Sequence, residues 1–132
     1  MFGDKPLVGQ YSYSIDEKNR MFLPSSTGRE TGDRVYLCYD NDIEVYTLYP
    51  EKVIQEIFDN FNKKIMEAKT ASELKEYKLM LLKYSKSVIK GLTVDSQGRV
   101  ILSSEFWEYD SMNMVGAGNH LVLNPTNKKN KK

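Results

Sequence analysis

Cysteine and long apolar runs are both scarce in this sequence. Cys38, its one cysteine, excludes an intramolecular disulfide and is typical of proteins that fold in a reducing compartment. No apolar run approaches the roughly 20 residues of a membrane-spanning helix. Residues 1–8 carry charge and proline in place of the apolar stretch of a secretory signal. We therefore expect a soluble, cytoplasmic protein without a membrane partner.

An excess of one charge is also lacking, as is any recognisable catalytic motif. The chain has 19 basic and 18 acidic residues, a formal net charge of +1, which neither requires nor excludes a nucleic-acid partner. The lone His120 and Cys38 do not have the spacing of metal ligands, and no segment resembles a nucleophile loop. We expect no enzymatic activity, no catalytic residue, no metal, no cofactor and no small-molecule substrate.

The sequence does contain a five-residue pattern that occurs twice, as Asp16-Glu17-Lys18-Asn19-Arg20 and as Asp95-Ser96-Gln97-Gly98-Arg99. Each copy lies between a β-prone run and an apolar run. Asp opens a turn, and Asn or Gly in the fourth place suits the left-handed residue that closes it. The pattern predicts two stiff β-hairpins, over about residues 9–23 and 92–102, each presenting an Arg near its mouth.

Further hairpins and a pair of helices are predicted in the rest of the chain. Residues 35–39 and 43–48 flank the turn residues 40–42, and residues 114–117 and 121–123 flank Gly118-Asn119. Apolar residues at three- and four-residue steps predict one helix after Pro50, and Thr70 starts a second one through a capping box with Glu73. Their apolar faces are Val53, Ile54, Ile57, Phe58, Phe61 and Ile65 in the first, and Leu74, Tyr77, Leu81, Tyr84 and Val88 in the second.

Two very short helices are expected beside the repeated pattern. Thr27 and Glu30 have capping-box spacing, with Gly32 as a possible end, and Ser104 is a candidate N-cap in the second half.

The order of elements indicates an internal duplication. Asp95 lies 79 positions after Asp16, and Asn119 lies 78 positions after Asn41. We expect a loose N-terminal arm (residues 1–8), a first repeat (9–50), a helical pair (51–88), a second repeat (89–126) and a disordered basic tail (127–132). Each repeat is too small for its own core, and several strands are apolar on both faces, which favours one closed pseudo-twofold β-barrel built by both halves.

The two patterns and their flanks resemble the MraZ family of bacterial transcriptional regulators, which carry Asp-x-x-x-Arg twice. The first copy here continues through Met21-Phe22-Leu23-Pro24 and the second through Val100-Ile101-Leu102. The resemblance implies an α+β, mainly β fold of two SpoVT-AbrB swapped-hairpin units. It also implies a nucleoid-associated, octamer-like ring homo-oligomer that binds double-stranded DNA at short promoter repeats of the division and cell-wall gene cluster.

Two roles are open for the repeated residues. Arg can read guanine in the major groove and Lys can add phosphate contacts, so the candidate DNA-binding residues are Lys18, Asn19, Arg20 and Arg99. We expect the first loop to read bases and the second, with Asp16, Asp95 and Gly98 bracing the turns, to be mainly structural. The alternative is that each Asp–Arg pair only braces its own turn. Alternative functions are an AbrB-type antitoxin and a structural or adaptor ring.

Overall fold

The computed structural model describes residues 1–129, and it is an α+β fold made mainly of antiparallel strands. The strands are β1 (Gln10–Ser14), β2 (Arg20–Phe22), β3 (Arg34–Asp40), β4 (Val45–Pro50), β5 (Val88–Thr93), β6 (Arg99–Ile101), β7 (Tyr109–Gly116) and β8 (Leu121–Lys128). The helices are α1 (Glu51–Glu67) and α2 (Ala71–Ser87), with short 3₁₀ helices at Ser25–Thr27 and Ser104–Phe106.

Six strands form one sheet in the order β1-β7-β8-β4-β3-β5. The order is symmetric between the two halves of the chain: replacing each strand by its equivalent in the other half (β1 with β5, β3 with β7, β4 with β8) gives the same order in reverse. The first strand of each half pairs with the third strand of the other: β1 lies along β7, with Tyr13 opposite Met112, and β5 lies along β3, with Leu92 opposite Val35. The sheet is therefore built by strand exchange between the halves.

The remaining strands, β2 and β6, form a separate two-stranded ribbon, with Met21 opposite Val100. This corrects the prediction of two simple hairpins. The turns at residues 16–19 and 95–98 do form, but the strands on either side of each turn diverge, and each pairs with a strand of the other half. The hairpins predicted at 35–48 and 114–123 are confirmed as the β3–β4 and β7–β8 ladders.

The prediction of a closed β-barrel is wrong. Within residues 1–129 the end strands β1 and β5 pair with β7 and β3 only and not with each other, so the sheet is open. The reason lies in the ribbon. Met21 is 1% exposed, whereas its neighbour Phe22 is 41% exposed and faces outward. A ribbon with one buried face does not require closure.

Both halves contribute to one core between the sheet and the ribbon, as the duplication predicted. Its buried members are Phe2, Leu7, Ile15, Met21, Leu23, Val35, Leu37 and Leu48 from the first half, and Leu92, Val94, Val100, Leu102, Phe106, Met112, Met114, Leu121 and Leu123 from the second. Burial of this size is the main favourable term in folding, and neither half holds it alone.

The N-terminal arm is folded against this core, which corrects the expectation of a loose segment. Phe2 and Leu7 are 2% and 1% exposed. The backbone N–H of Phe2 donates to Asp33 Oδ2 at 2.8 Å, and Leu7 exchanges backbone hydrogen bonds with Gly118. A Cβ on Gly116 would lie 2.4 Å from the backbone nitrogen of Val8, so only glycine admits the arm at this distance.

The helical pair is confirmed. Three residues connect the helices, and contacts of Phe58 with Tyr84 and of Lys64 with Tyr77 show that they run antiparallel. Thr70 caps α2 by accepting a hydrogen bond from the Glu73 N–H at 3.1 Å. The predicted apolar stripes face inward only in part, because α2 has no fully buried residue.

Three local predictions need correction. The first 3₁₀ helix ends at Gly28, which has a φ of 74°, so Thr27 is its last residue and not its cap. Ser103 precedes the second 3₁₀ helix, and Ser104 is its first residue. Strand β8 runs through Lys128, so the predicted disordered tail begins as strand, and its residues 130–132 lie outside the described part of the chain.

Candidate functional site

The first turn is held by Asp16. Its Oδ1 accepts the backbone N–H groups of Lys18 and Arg20 at 2.9 and 2.8 Å, and its Oδ2 accepts Arg20 Nε at 2.7 Å. The turn is closed by backbone bonds between Asp16 and Asn19 and between Asp16 and Arg20. Asn19 has a φ of 61°, the left-handed conformation that the pattern predicted. The result is a stiff loop with a fixed Arg.

The second turn repeats this geometry almost bond for bond. Asp95 Oδ1 accepts the N–H groups of Gln97 and Arg99, both at 2.9 Å, and Oδ2 accepts Arg99 Nε at 2.9 Å. Gly98 is left-handed, with a φ of 82°. The ion pair that was the alternative role of the repeated residues is therefore present in both turns.

These bonds favour the charged form of both carboxylates. The backbone N–H of Arg20 is the largest influence that lowers the pKa of Asp16 below its usual value, followed by the Arg20 side chain and the Lys18 N–H. The Arg99 N–H lowers the pKa of Asp95 in the same way. Each pair uses Nε of the Arg, and among residues 1–129 no protein acceptor takes a hydrogen bond from the terminal amino groups of Arg20 or Arg99. These groups are available to a ligand.

The two turns are tied to each other through the ribbon. The Leu102 N–H donates to the Asn19 carbonyl at 2.7 Å, and the Leu23 N–H donates to the Gly98 carbonyl at 3.0 Å. The turns lie at opposite ends of β2 and β6, because these strands are antiparallel. The two turns are therefore separated by the length of these three-residue strands.

The outward side of the ribbon carries four side chains, which we call the ribbon face: Arg20, Phe22, Arg99 and Ile101. Arg20 lies opposite Ile101, and Phe22 lies opposite Arg99. Phe22 and Ile101 are 41% and 63% exposed, and the Arg99 guanidinium lies 6.0 Å from the centre of the Phe22 ring. Sequence reasoning missed the two apolar members, although their common place two residues after each Arg is a readable signal.

Arg29 is a third cation that sequence reasoning missed. Its Nε donates to the Leu23 carbonyl at 2.6 Å, and a Cβ on Gly98 would lie 2.1 Å from its Nη1. It thus bridges the end of β2 and the second turn. No pattern in the sequence places it there, because it follows a short 3₁₀ helix and not a strand. Lys18, by contrast, is exposed at the tip of the first turn, as expected.

The other candidate residues show no reactive arrangement. Cys38 is 3% exposed, and burial raises the pKa of its thiol to about 12. His120 stacks on Tyr49 with ring centres 4.6 Å apart, and burial lowers its pKa. In residues 1–129 we find neither a group of three or more acidic, His or Cys side chains that could hold a metal nor a helix with the length and apolarity to span a bilayer.

Comparison with known proteins gives a consistent family. No family model matches the chain. It is 28% identical over 122 residues to transcriptional regulator MraZ of Dictyoglomus thermophilum, covering 88% of this chain and 77% of that protein. It is 28% identical over 108 residues to the protein of the same name in Clostridium acetobutylicum, covering 80% and 69%.

A third relative supports the same assignment. The chain is 30% identical over 105 residues to transcriptional regulator MraZ of Caldicellulosiruptor bescii, covering 78% of this chain and 66% of the relative. These alignments extend over most of the chain, and they agree with the resemblance carried by the two Asp-x-x-x-Arg turns. The chain belongs to the MraZ family.

Proposed function

We propose that this protein is a sequence-specific DNA-binding transcriptional regulator. The observation that carries the proposal is the ribbon face, on which two braced turns hold Arg20 and Arg99 with their terminal amino groups free of protein partners among residues 1–129. The names of the relatives, transcriptional regulator MraZ, support it. In this proposal residues 9–50 and 89–126 are SpoVT-AbrB repeats of the swapped-hairpin type, separated by the helical pair, and the protein acts in the cytoplasm at the nucleoid.

The geometry suits the major groove of double-stranded DNA. That groove admits a two-stranded ribbon, and an Arg can donate two parallel hydrogen bonds to O6 and N7 of guanine. A side chain that reads a nucleobase must be held in one position. Asp16 accepts hydrogen bonds from the backbone N–H and Nε of Arg20, and it leaves the terminal amino groups of Arg20 without a bond to it. Lys18, exposed at the turn tip, is placed for a phosphate or a second guanine. Asn19 is the third residue that the first turn contributes to the proposed DNA contact.

The second turn belongs to the same proposed contact. Arg99 lies on the same face as Arg20 and is braced in the same way, but its side chain is 17% exposed where that of Arg20 is 26% exposed. Gln97 stands where the first turn has Lys18. We therefore give the first turn the larger share of the binding energy and Arg99 a smaller one.

The binding unit is a ring-shaped homo-oligomer in this proposal, and its targets are short promoter repeats of the division and cell-wall gene cluster. A single short ribbon buries much less than the roughly 600–2,500 Å² of a specific DNA interface. Several copies on repeated sites overcome this through effective concentration. The exposed apolar residues of α2, namely Leu79, Met80 and Leu82, support a contact between subunits.

Replacing Lys18 and Arg20 together by Ala tests the DNA contact. Loss of one bidentate guanine contact costs about 1–3 kcal/mol, so we expect affinity for DNA upstream of the chain's own gene to fall at least about fivefold. The matched control is Lys63→Ala with Lys75→Ala, which removes two exposed positive charges from the helices. Affinity is measured by fluorescence anisotropy at fixed salt. Equal binding by wild type and the Lys18/Arg20 variant would refute the proposed reading loop.

The assembly is tested separately on α2. Leu79→Lys with Leu82→Lys places two charges on the exposed apolar face, and we expect native mass spectrometry to show smaller particles. Val8→Lys is the control, since Val8 is 65% exposed and lies far along the chain from α2. A ring that keeps its full mass in the α2 variant would exclude this face as the subunit contact.

A further inference from the structure

The apolar half of the ribbon face, Phe22 and Ile101, lies outside the core. Phe22 and Ile101 alternate with Met21 and Val100, and only the latter two enter the core, at 1% exposure each. Leaving two large apolar side chains in water is unfavourable, by roughly 25 cal/mol for each Å² of apolar surface. An exposed apolar residue occurs at the equivalent place in both halves, Phe22 in β2 and Ile101 in β6. This repetition indicates a contact surface for a ligand.

The positions of the four side chains define a small pattern. On a pleated ribbon, Arg20 and Phe22 point to the same side, as do Arg99 and Ile101, and each such pair is separated by roughly 7 Å along its strand. The register places each Arg directly opposite an apolar residue of the other strand. Cations and apolar groups therefore occupy alternate corners of a rectangle. A ligand for this face must offer hydrogen-bond acceptors and small apolar groups in alternation.

The major groove offers such an alternation. Guanine presents two acceptors there, and thymine is the one common base that presents an apolar group, its C5-methyl. Successive base pairs are about 3.4 Å apart, so roughly 7 Å covers two steps. An Arg on a guanine thus brings its apolar neighbour within reach of a base one or two positions away.

We infer that Phe22 and Ile101 contact the C5-methyl groups of thymines one or two positions from the guanines read by Arg20 and Arg99. The inference rests on the proposed function and deepens it by naming a base preference. The ribbon face would then select sites in which thymine lies within two positions of guanine.

A second copy of the chain fits this face less well than DNA does. If two ribbon faces met across a twofold axis, two copies each of Arg20 and Arg99 would share one interface. Like charges in such a contact are unfavourable. Asp16 and Asp95 are already engaged by Nε of these Arg residues and by backbone N–H groups, and the ribbon face of a second copy offers no side-chain acceptor for the terminal amino groups. A polyanion with apolar methyl groups in its groove satisfies both halves of the pattern.

The test compares the same promoter fragment made with thymine and with uracil, which lacks only the methyl group. The DNA upstream of the chain's own gene is amplified with either dTTP or dUTP. Burying one methyl group is worth about a fourfold change in affinity. We expect wild-type protein to bind the uracil fragment roughly four- to fifteenfold more weakly than the thymine fragment at the same salt concentration.

The variant Phe22→Ala with Ile101→Ala completes the comparison. It should bind the thymine fragment about as weakly as wild type binds the uracil fragment, and the two fragments should then differ by less than about twofold. The Lys63→Ala with Lys75→Ala variant should keep the full wild-type difference. Neither replaced side chain belongs to the core, and a thermal melt checks that the variant is folded.

The outcomes separate the inference from the proposed function. If wild type binds both fragments equally well, or if the Phe22/Ile101 variant retains the wild-type difference, the methyl contact is refuted and DNA binding stands. If wild type binds neither fragment above the level of unrelated DNA, the proposed function itself fails.

Discussion

Asn19 and Gly98 occupy the same place in the two turns, yet their surroundings differ. Both are left-handed, with φ values of 61° and 82°. The Gly98 Cα is covered by the Arg29 guanidinium, whereas Asn19 already carries a side chain without conflict. Position 98 thus favours glycine for two reasons, conformation and space, whereas position 19 favours it for conformation alone and accepts Asn.

Exchanging these residues should have unequal effects. Asn19→Gly relieves a left-handed Asn and should leave stability unchanged or raise it by up to about 1 kcal/mol. Gly98→Asn displaces Arg29 and its bond to Leu23, and should lower the free energy of unfolding by about 1–3 kcal/mol. Urea unfolding of both variants checks this. A Gly98→Asn protein as stable as wild type would show that Arg29 is not held where the structure places it.

The two braced carboxylates should make stability depend on pH in the acid range. Their pKa values are lowered in the folded protein from an ordinary value of 3.8, so they stabilise the fold above that value, and the stabilisation is lost as pH falls through the folded-state pKa. Asp16→Asn with Asp95→Asn should lower the urea midpoint at pH 7. It should also reduce the fall in that midpoint between pH 4 and pH 2.5.

The control for this pair is Glu56→Gln, which removes one exposed carboxylate from α1. It should change neither the midpoint at pH 7 nor its fall in acid. An unaltered acid profile in the double Asn variant would mean that other carboxylates carry the pH dependence.

Elements whose signals are local were predicted well, and elements defined by distant partners were not. The turn at residues 16–20 depends on Asp16 and Asn19 alone, and the α2 start depends on Thr70 and Glu73, so both could be read from neighbouring residues. The strand that pairs with β1 lies about 100 positions away in the sequence, and nothing in residues 10–14 predicts which strand that is. The candidate site divides in the same way: the turns that hold Arg20 and Arg99 could be read from the sequence, but the arrangement of these residues with Phe22 and Ile101 depends on the β2–β6 register.

The N-terminal arm is the clearest case of an element fixed by distant contacts. The sequence suggested a loose segment, but Leu7 is 1% exposed and the backbone of the arm lies against Gly116 and Gly118. Leu7→Ala should lower the free energy of unfolding by about 2–5 kcal/mol, the usual cost of such a cavity. Val8→Ala, at a side chain 65% exposed, should change it by less than about 0.5 kcal/mol. Chemical denaturation measures both, and equal values for the two variants would contradict the folded arm.

The whole molecule is held together by exchange between its halves, with the helical pair as the covalent link. β1 pairs with β7 over Gln10–Ser14, β5 pairs with β3, and β2 pairs with β6. The first two strands of each half therefore pair with strands of the other half. The core also mixes residues from both. The α1–α2 connection at residues 68–70 crosses no part of this core. Its integrity should therefore matter little once the chain has folded.

Cutting that connection tests the exchange directly. A protease site inserted between Ala68 and Lys69 leaves the Thr70 cap in place, and cleavage of the folded protein should yield two fragments that co-elute under native conditions and separate in urea. A fragment of residues 1–68 produced alone should show no cooperative unfolding, because β1 and β3 then lose β7 and β5. Fragments that part under native conditions, or a first half that unfolds cooperatively by itself, would show two independent domains in place of one jointly built core.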